Sequence, residues 1–274
     1  MARRAEALAA RLPPLLARSP RVANTVTAGA HARRRVGPGS SFWQFRPYAQ
    51  GDQPSQIDSR ASAKSDRSYV RQTEWELAQT VHVWCDRSAS MEWHSSALLP
   101  TKAERATLLL LAVSALLLRG GERVRPLGGA PSPTLDRLAE AVSRQPAAGL
   151  PPLTGLPANG RMLLAGDFLA PLPEIEAALR PYATRPVRGH VIHVLDPAEL
   201  SLPYSGRVRF RSLESEPDTI VPQVESIRAA YADAIAAQLA GLRAVCDRAG
   251  WTCTLHVTDA PPEDALLALF QAIA

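Results

Sequence analysis

Two kinds of apolar run alternate along the chain from about residue 80. Short runs such as VHVWCD (81–86) and GHVIHVLD (189–196) are almost continuously apolar, which is typical of strands buried on both faces of a parallel sheet. Longer runs with helical spacing separate them, beginning with TKAERATLLLLAVSALLLRGG at 101–121. The alternation predicts βαβ units, and therefore an α/β fold in which a mostly parallel sheet is flanked by helices.

The same pattern predicts the remaining elements of this region. We expect strands at 122–128, 161–168 and 251–259, and helices at 133–145, 172–183, 223–249 and 262–274. The stretch 206–223 alternates and contains a turn, which predicts a β-hairpin inserted between a strand and a helix. Thr101 and Glu104 have the spacing of a capping box that starts the first long helix.

The chain before residue 80 has a different character. A basic amphipathic run predicts a helix within residues 1–20, and the residues after it are rich in Gly, Pro, Ser and Arg, with short extended pieces. The aromatic residues of this stretch make it too apolar for a free linker. We therefore expect three parts: an N-terminal helix (1–20), a basic segment packed on the main domain (21–78) and an α/β domain (79–274).

Composition narrows the class of protein. The net charge of +5 arises from an N-terminal excess of arginine. A solvated basic surface explains this excess as well as an anionic partner does, whether nucleic acid, a membrane face or an acidic protein. Aromatic residues make up only 5%, so a nucleic-acid surface built on stacked bases is not expected. Three cysteines without CxxC spacing favour reduced thiols in a cytoplasmic protein. The most apolar run, 108–118, lies between Lys102 and Arg119 and is shorter than the roughly 20 residues that span a bilayer.

Four of the predicted strands end on an aspartate, namely Asp86, Asp167, Asp196 and Asp259. One such aspartate commonly caps the following helix. However, the carboxyl ends of parallel strands meet at the edge of the sheet where ligands bind, and clustered carboxylates repel one another unless a cation compensates them. The sequence therefore predicts a cation at this edge.

The loop after the first strand adds further oxygen ligands. In the sequence DRSAS, Asp86 is followed by hydroxyls at alternating positions, Ser88 and Ser90, and Asp167 can approach from a neighbouring strand end. Oxygen ligands without His or Cys favour Mg²⁺ or Mn²⁺, with waters in the remaining positions. The six histidines lack metal-ligand spacing.

Two stretches resemble known families. DRSAS after VHVWC resembles the metal-ion-dependent adhesion site of von Willebrand factor A domains. Residues 46–52 (RPYAQGD) and 57–63 (IDSRASA) resemble the signature of the bacterial family called domain of unknown function 58, in which the signature leads into the adhesion-site strand. The resemblance runs from about Gly37 to the C-terminus. It implies a von Willebrand A-like fold, unknown biochemistry and frequent association with MoxR-type AAA+ ATPases.

Carried over residue by residue, the resemblance makes Asp86, Ser88, Ser90 and Asp167 the metal ligands of this site. Thr134 and Thr154 are both candidates for the site's threonine, and Thr134 is included in the predicted ligand set. The family pattern usually has Trp after Ile-Asp, where this chain has Ser59. The charged signature residues are candidate partner-binding positions: Arg46, Asp52, Asp58 and Arg60.

These observations favour a non-catalytic, metal-dependent protein–protein interaction module. In von Willebrand A domains an acidic side chain of the partner fills an open position on the metal, so we expect a MoxR-type ATPase or another protein that offers such a side chain. The alternative is a metal-dependent hydrolase or phosphatase that uses the same carboxylates. Against it, Ser88 stands where a phosphatase of the haloacid dehalogenase type needs a second aspartate, and the sequence contains neither GxSxG nor a Walker A loop.

Overall fold

The computed structural model describes residues 1–11, 33–49, 57–63, 68–77, 80–156, 160–213 and 217–273. The chain forms two compact units. One unit contains the N-terminal helix and everything described from residue 80 onward, and the other lies within residues 31–79. The packing of segment 21–78 on the main domain stays a prediction.

An antiparallel strand pair forms most of the described part of the smaller unit. β1 (Arg33–Pro47) pairs with β2 (Tyr69–Leu77), and a short helix, α2 (Ser59–Ser62), precedes β2. The strands are longer than the short extended pieces expected from the sequence. The Gly-Pro-Gly-Ser stretch at 37–40 falls at a shift of register between Val36 and Ser41. These residues therefore interrupt the pairing without ending the strand, as a bulge does.

Seven strands and the helices around them form the described part of the larger unit. Its elements are α1 (Ala2–Ala9), β3 (Thr80–Cys85), α3 (Lys102–Arg119), β4 (Arg123–Pro126), α4 (Leu135–Ser143), β5 (Arg161–Gly166), α5 (Leu172–Ala183), β6 (Arg188–Leu195), α6 (Pro197–Ser201), β7 (Val208–Phe210), β8 (Thr219–Val221), α7 (Arg228–Arg248), β9 (Thr252–Val257) and α8 (Pro262–Ile273). Its described residues also include two short 3-10 helices, Ala89–Glu92 and Val224–Ser226.

The central sheet has the strand order β4-β3-β5-β6-β9, and all its neighbouring strands are parallel. The chain enters at β3, adds β4 on one side and then crosses to β5 on the other. This reversal creates a switch point at the carboxyl ends of β3 and β5, the place where open α/β sheets bind ligands. The α/β fold is confirmed, and so is the inserted hairpin, because β7 pairs with β8 in antiparallel orientation.

Hydrophobic side chains project from both faces of the sheet and form a core on each. On β3, Val83 and Cys85 face a core with α3, α4 and α8, whereas Trp84 faces a second core with α5 and α7. Burial on both faces explains why the strands read as continuous apolar runs. Helix α1 contributes Ala5 and Leu8 to the first core, and it ends at Ala9, earlier than the predicted helix within residues 1–20.

Local capping signals fix where two helices begin. The predicted capping box is present at α3: the Glu104 N–H donates to Thr101 Oγ1 at 3.1 Å, and the Thr101 N–H donates to Glu104 Oε2 at 3.3 Å. A second box, formed by Asp196 and Glu199, starts α6, a helix that was not predicted from the sequence. In the described part of the chain, no helix combines the length and apolar character needed to cross a membrane.

Candidate functional site

Two adjoining strand ends build the candidate site. Cys85 of β3 pairs with Ala165 of β5, and the Asp86 N–H continues the ladder by donating to the Ala165 carbonyl oxygen at 2.7 Å. Asp167 follows β5 one residue beyond its end. The parallel pairing therefore brings the two predicted carboxylates to the same edge of the sheet, at the switch point.

Asp86 is fully buried, and its two carboxylate oxygens have different surroundings. Oδ1 accepts hydrogen bonds from the Ser88 N–H at 2.8 Å and from Ser88 Oγ at 2.6 Å. Oδ2 has no hydrogen-bond partner among the described residues. Gly166 makes room for this side chain, because a Cβ there would lie 2.8 Å from Asp86 Cβ and 3.0 Å from Oδ2. A buried, unpartnered carboxylate oxygen is costly unless something compensates its charge.

A chain of hydroxyl groups links Asp86 to Asp167. Ser88 Oγ lies 3.0 Å from Ser90 Oγ, and Ser90 Oγ donates to Asp167 Oδ2 at 2.7 Å. The 3-10 helix that begins at Ala89 turns the loop so that both hydroxyls face the same point. The structure thus brings together Asp86, Ser88, Ser90 and Asp167, four of the five predicted metal-ligand residues.

Lys102, the first residue of α3, also reaches this cluster. Its side chain is 1% exposed, and its ammonium donates to Asp167 Oδ2 at 2.9 Å and to Glu199 Oε1 at 2.5 Å. Glu199 is held by the capping box of α6, because its Oε2 accepts the Asp196 N–H at 2.8 Å. Neither Lys102 nor Glu199 was among the residues predicted from the sequence.

Burial and neighbouring charges raise the pKa of two groups in this cluster, Asp86 and Lys102. Burial, together with the charge of Asp167, raises the pKa of Asp86 to about 6, although hydrogen bonds from Ser88 oppose the rise. Burial disfavours the charged form of Lys102, but the carboxylates of Asp167 and Glu199 outweigh it, so the pKa of Lys102 is raised. Lys102 is therefore charged at neutral pH.

An open pocket of about 340 Å³ gives solvent access to the cluster. Ser88, Ser90 and Asp167 line it, together with Arg211 and Leu213 in the segment after β7. Leu213 is 45% exposed. A ligand that enters the pocket therefore meets oxygen atoms, one arginine and an exposed apolar side chain.

The cluster fits a small divalent cation. Mg²⁺ prefers an octahedron of oxygens at about 2.0–2.1 Å, whose neighbouring ligands lie about 2.9 Å apart; the Ser88 Oγ–Ser90 Oγ distance is 3.0 Å. The free Oδ2 of Asp86 is a further hard ligand. Within the described residues, no three His, Cys, Asp or Glu side chains converge on one point, so a cation here would depend on the serine hydroxyls.

The sequence of the chain matches the family described as "Protein of unknown function DUF58" over residues 44–131 and 135–241, more than half of its length. The chain belongs to this family. Membership in DUF58 assigns no activity, because the family is itself of unknown function. No curated protein matches the sequence.

Two solved structures are similar to this DUF58 chain. One is described as conserved hypothetical protein BatB from Bacteroides thetaiotaomicron, with a TM-score of 0.45, 11% identity and coverage of 72% of this chain and 97% of that one. The other is described as an aerotolerance-related membrane protein from Bacteroides fragilis NCTC 9343 with multiple mutations to serines; its TM-score is 0.46, its identity 12%, and its coverage 72% and 98%.

The threonine expected in the site has other contacts in this DUF58 chain. Thr134 is the exposed N-cap of α4, where its Oγ1 accepts the Arg137 N–H at 3.4 Å. Thr154, the other candidate, lies 3.4 Å from the Tyr182 hydroxyl through its Oγ1. Its backbone N–H donates to the same hydroxyl at 3.0 Å. Neither threonine has a described hydrogen bond to the cluster, and a ligand role for Thr134 stays a prediction.

The loop that approaches the cluster carries a glycine. A Cβ built on Gly149 would lie 3.8 Å from Ser88 Oγ and 4.0 Å from Asp86 Oδ2. The first atom of any side chain at position 149 would therefore lie in van der Waals contact with the cluster. The sequence alone gave no signal for this position, because a glycine in a Pro-rich loop usually marks a turn.

The other two strand-end aspartates lie outside the cluster. Asp196 caps α6, where its Oδ1 accepts the Ala198 N–H at 2.8 Å, and its Oδ2 accepts the Ser95 N–H at 2.9 Å. Asp259 lies in the exposed turn that follows β9. These two carboxylates follow the common pattern of strand-end aspartates that shape the next turn.

The charged signature residues lie in the smaller unit. Arg46 is in β1, where it pairs with Val70, and Asp52 lies outside the described residues. Asp58 precedes α2, and its Oδ1 accepts the N–H of the exposed Arg60 at 3.0 Å. A partner-binding role for Arg46, Asp52, Asp58 and Arg60 stays a prediction.

Proposed function

We propose that this DUF58 chain is a non-catalytic binding module that holds Mg²⁺ or Mn²⁺ with Asp86, Ser88 and Ser90, supported by Asp167, and binds an acidic side chain of a partner protein. The observation that carries the proposal is the continuous contact chain from Asp86 through both serines to Asp167. It ends at one side on a buried carboxylate oxygen that has no hydrogen-bond partner in the described structure.

The composition of the ligand set supports an acidic partner. Serine hydroxyls are neutral, so the bound cation would keep part of its charge and would attract a carboxylate from outside. The pocket beside the cluster is wide enough to admit a side chain, with a volume of about 340 Å³. Arg211, which also lines the pocket, adds a positive charge that suits the same carboxylate.

A MoxR-type AAA+ ATPase is the partner that the family resemblance suggests. The rival proposal, a metal-dependent hydrolase or phosphatase, is less well supported, because the two carboxylates that line the pocket, those of Asp167 and Glu199, are both paired with Lys102. A general base must reach the substrate, whereas His193, which interacts with Asp167, is only 1% exposed. Lys102 is equally buried and is held by two carboxylates.

Mn²⁺ binding to the purified full chain is the first test. Titration calorimetry should detect binding to the wild type and none to Asp86→Asn, which keeps the shape of the side chain but removes its charge. Asp259→Asn is the matched control, because it also neutralises a strand-end aspartate but lies in an exposed turn. Equal Mn²⁺ binding by all three proteins would show that the cluster is not the metal site.

Capture of a purified MoxR-type ATPase from the same organism tests the partner. Capture should need Mg²⁺ or Mn²⁺, fail with EDTA and fail with Asp86→Asn. Phosphoester hydrolysis should stay at background with the same metals. Metal-dependent hydrolysis that is lost in Asp86→Asn would instead establish the hydrolase alternative.

A further inference from the structure

Lys102 occupies a position that is unfavourable for a cation on two counts. Its side chain is 1% exposed, and removing an ammonium from water costs several kcal/mol. It is also the first residue of α3, where the helix dipole favours negative charge. A buried apolar residue would avoid both costs. The carboxylates of Asp167 and Glu199 compensate them through direct ion pairs, so the ammonium is tied to the chemistry of the site.

The ammonium shares a carboxylate oxygen with a predicted metal ligand. Asp167 Oδ2 accepts from Lys102 Nζ at 2.9 Å and from Ser90 Oγ at 2.7 Å. Both lone pairs of that oxygen are therefore in use. In this arrangement Asp167 acts through the Ser90 hydroxyl, whose own lone pairs remain available for a cation, and Oδ2 itself is withheld from the metal.

Glu199 holds the ammonium from the other side. Its Oε2 is fixed by the Asp196 N–H at 2.8 Å, which leaves Oε1 directed at Lys102. Its backbone carbonyl accepts the Tyr231 hydroxyl at 2.6 Å, which fastens α6 to α7. The lysine is thus clamped between two positioned carboxylates.

The charges of these groups set the electrostatic attraction for a metal. Three carboxylates, those of Asp86, Asp167 and Glu199, and one ammonium leave two negative charges, which a single divalent cation neutralises. Without the ammonium, three negative charges would attract the same ion, and nearby charges in a partly buried site interact strongly.

We propose that Lys102 is a fixed internal cation that keeps the affinity of this site for divalent metal low, with Glu199 holding it in place. The inference rests on the proposed metal site and deepens it. Because the chain alone binds the ion weakly, a partner carboxylate that adds a ligand and a negative charge strengthens metal binding. By linkage, the metal strengthens partner binding by the same factor.

Two substitutions change the charge in opposite directions. Lys102→Met keeps the length of the side chain and removes the ammonium, so Mn²⁺ should bind about tenfold more tightly or better than to the wild type. Glu199→Gln removes a carboxylate that contacts neither Asp86 nor the serines, so Mn²⁺ should bind roughly tenfold more weakly. Lys102→Arg keeps the charge and should bind as the wild type does.

Titration of the full chain with Mn²⁺ alone, followed by calorimetry and by the manganese paramagnetic resonance signal, measures these affinities. Mn²⁺ should also raise the melting temperature of Lys102→Met more than that of the wild type, because an ion that binds only the folded state stabilises it. This readout remains usable if Lys102→Met is only marginally folded, and Glu199→Gln gives an independent measurement in a variant that keeps the Lys102–Asp167 pair.

The outcomes separate this inference from the proposed function. Binding by Lys102→Met but not by the wild type would support the inference and refute the proposed metal-dependent function. Binding by the wild type that is equal or weaker in Lys102→Met would refute the inference, leave the proposed function standing and make Lys102 a positioning residue for Asp167. No Mn²⁺ binding by either protein would refute both.

Discussion

Acidification should destabilise this protein through histidines that are buried in the neutral form. Burial lowers the pKa of four histidines to about 4 from the ordinary value of 6.5, and their side chains are 1–4% exposed; these are His82, His190, His193 and His256. The clearest case is His82, because neither ring nitrogen has a hydrogen-bond partner in the described structure and Arg125 lies nearby to repel a proton.

The direction in which stability changes with pH depends on how many protons the folded and the unfolded chain bind. Above pH 6.5 both states leave these rings neutral, and the full stability is present. As the pH falls from 6.5 towards 4, the unfolded chain binds protons that the folded chain rejects, so the free energy of unfolding falls. Asp86 acts in the opposite direction, because its pKa of about 6 in the folded state exceeds the usual carboxylate value, so its protonation stabilises the folded state on acidification.

The pKa values of the four histidines and of Asp86 set the size of the loss of stability. Between about pH 7 and about pH 5, each histidine whose pKa is lowered from 6.5 to about 4 reduces the free energy of unfolding by about 1.8 kcal/mol. Asp86 raises it by about 1 kcal/mol over the same range. Partial hydration in the folded state reduces both figures. We therefore expect a net loss of about 3 to 6 kcal/mol, a large share of the roughly 5–15 kcal/mol that stabilises a typical domain.

Urea unfolding at several pH values, followed by the circular dichroism of the helices, measures this loss. In His82→Leu the loss should shrink by about 1–2 kcal/mol, because one buried imidazole no longer contributes. His94→Gln is the matched control, since His94 is exposed, and it should keep the wild-type dependence. A free energy of unfolding that is the same at both ends of this pH range would refute the reasoning, and so would an unchanged pH dependence in His82→Leu.

Three substitutions of the site and its framework give further tests. Gly166→Ala should lower the free energy of unfolding by about 2 kcal/mol in thermal denaturation because its Cβ would overlap Asp86, whereas Gly155→Ala, which has open space, should change it by less than about 0.5 kcal/mol. Gly149→Thr should tighten Mn²⁺ binding in calorimetry, because its Cβ would lie 4.0 Å from Asp86 Oδ2 and its hydroxyl would add a neutral oxygen ligand beside that carboxylate, whereas Gly149→Ala adds no ligand and should not. Thr101→Ala should cost about 1 kcal/mol of stability in urea unfolding through loss of the capping box.

The parts of the fold that were predictable from the sequence are those fixed by repeated local signals. Strands buried on both faces are continuous in apolar residues, and the capping box at Thr101 marks the start of α3. Helix α6 was missed because its five residues are too few for a periodic pattern. Its Asp-Pro-Ala-Glu start nevertheless contains a capping-box spacing between Asp196 and Glu199, and that signal could have identified it.

Some residues of the candidate site were likewise predictable from the sequence, and others were not. Asp86, Ser88 and Ser90 lie in one loop, and Asp167 follows a neighbouring strand, so the order of the elements was enough to predict their meeting. Which threonine would join them was not predictable, because that depends on how a Pro-rich loop folds back over the sheet. The structure places Gly149 there, a residue that offers no side chain to recognise.

Lys102 and Glu199 were not predicted to belong to the site, since 97 residues separate them in the sequence. Next to an apolar helical run, a lysine is normally a solvated flanking residue, and in the sequence Lys102 marks only the charged flank of the apolar run 108–118. One local feature argues otherwise: a cation in the first turn of a helix opposes the helix dipole, so a lysine there needs a carboxylate nearby. Two carboxylates, those of Asp86 and Asp167, were already predicted from the sequence to lie at the adjacent strand ends. A basic residue at a helix N-terminus that directly follows a carboxylate loop is therefore a sequence signal for an internal counter-ion, although only the folded chain shows which carboxylates it contacts.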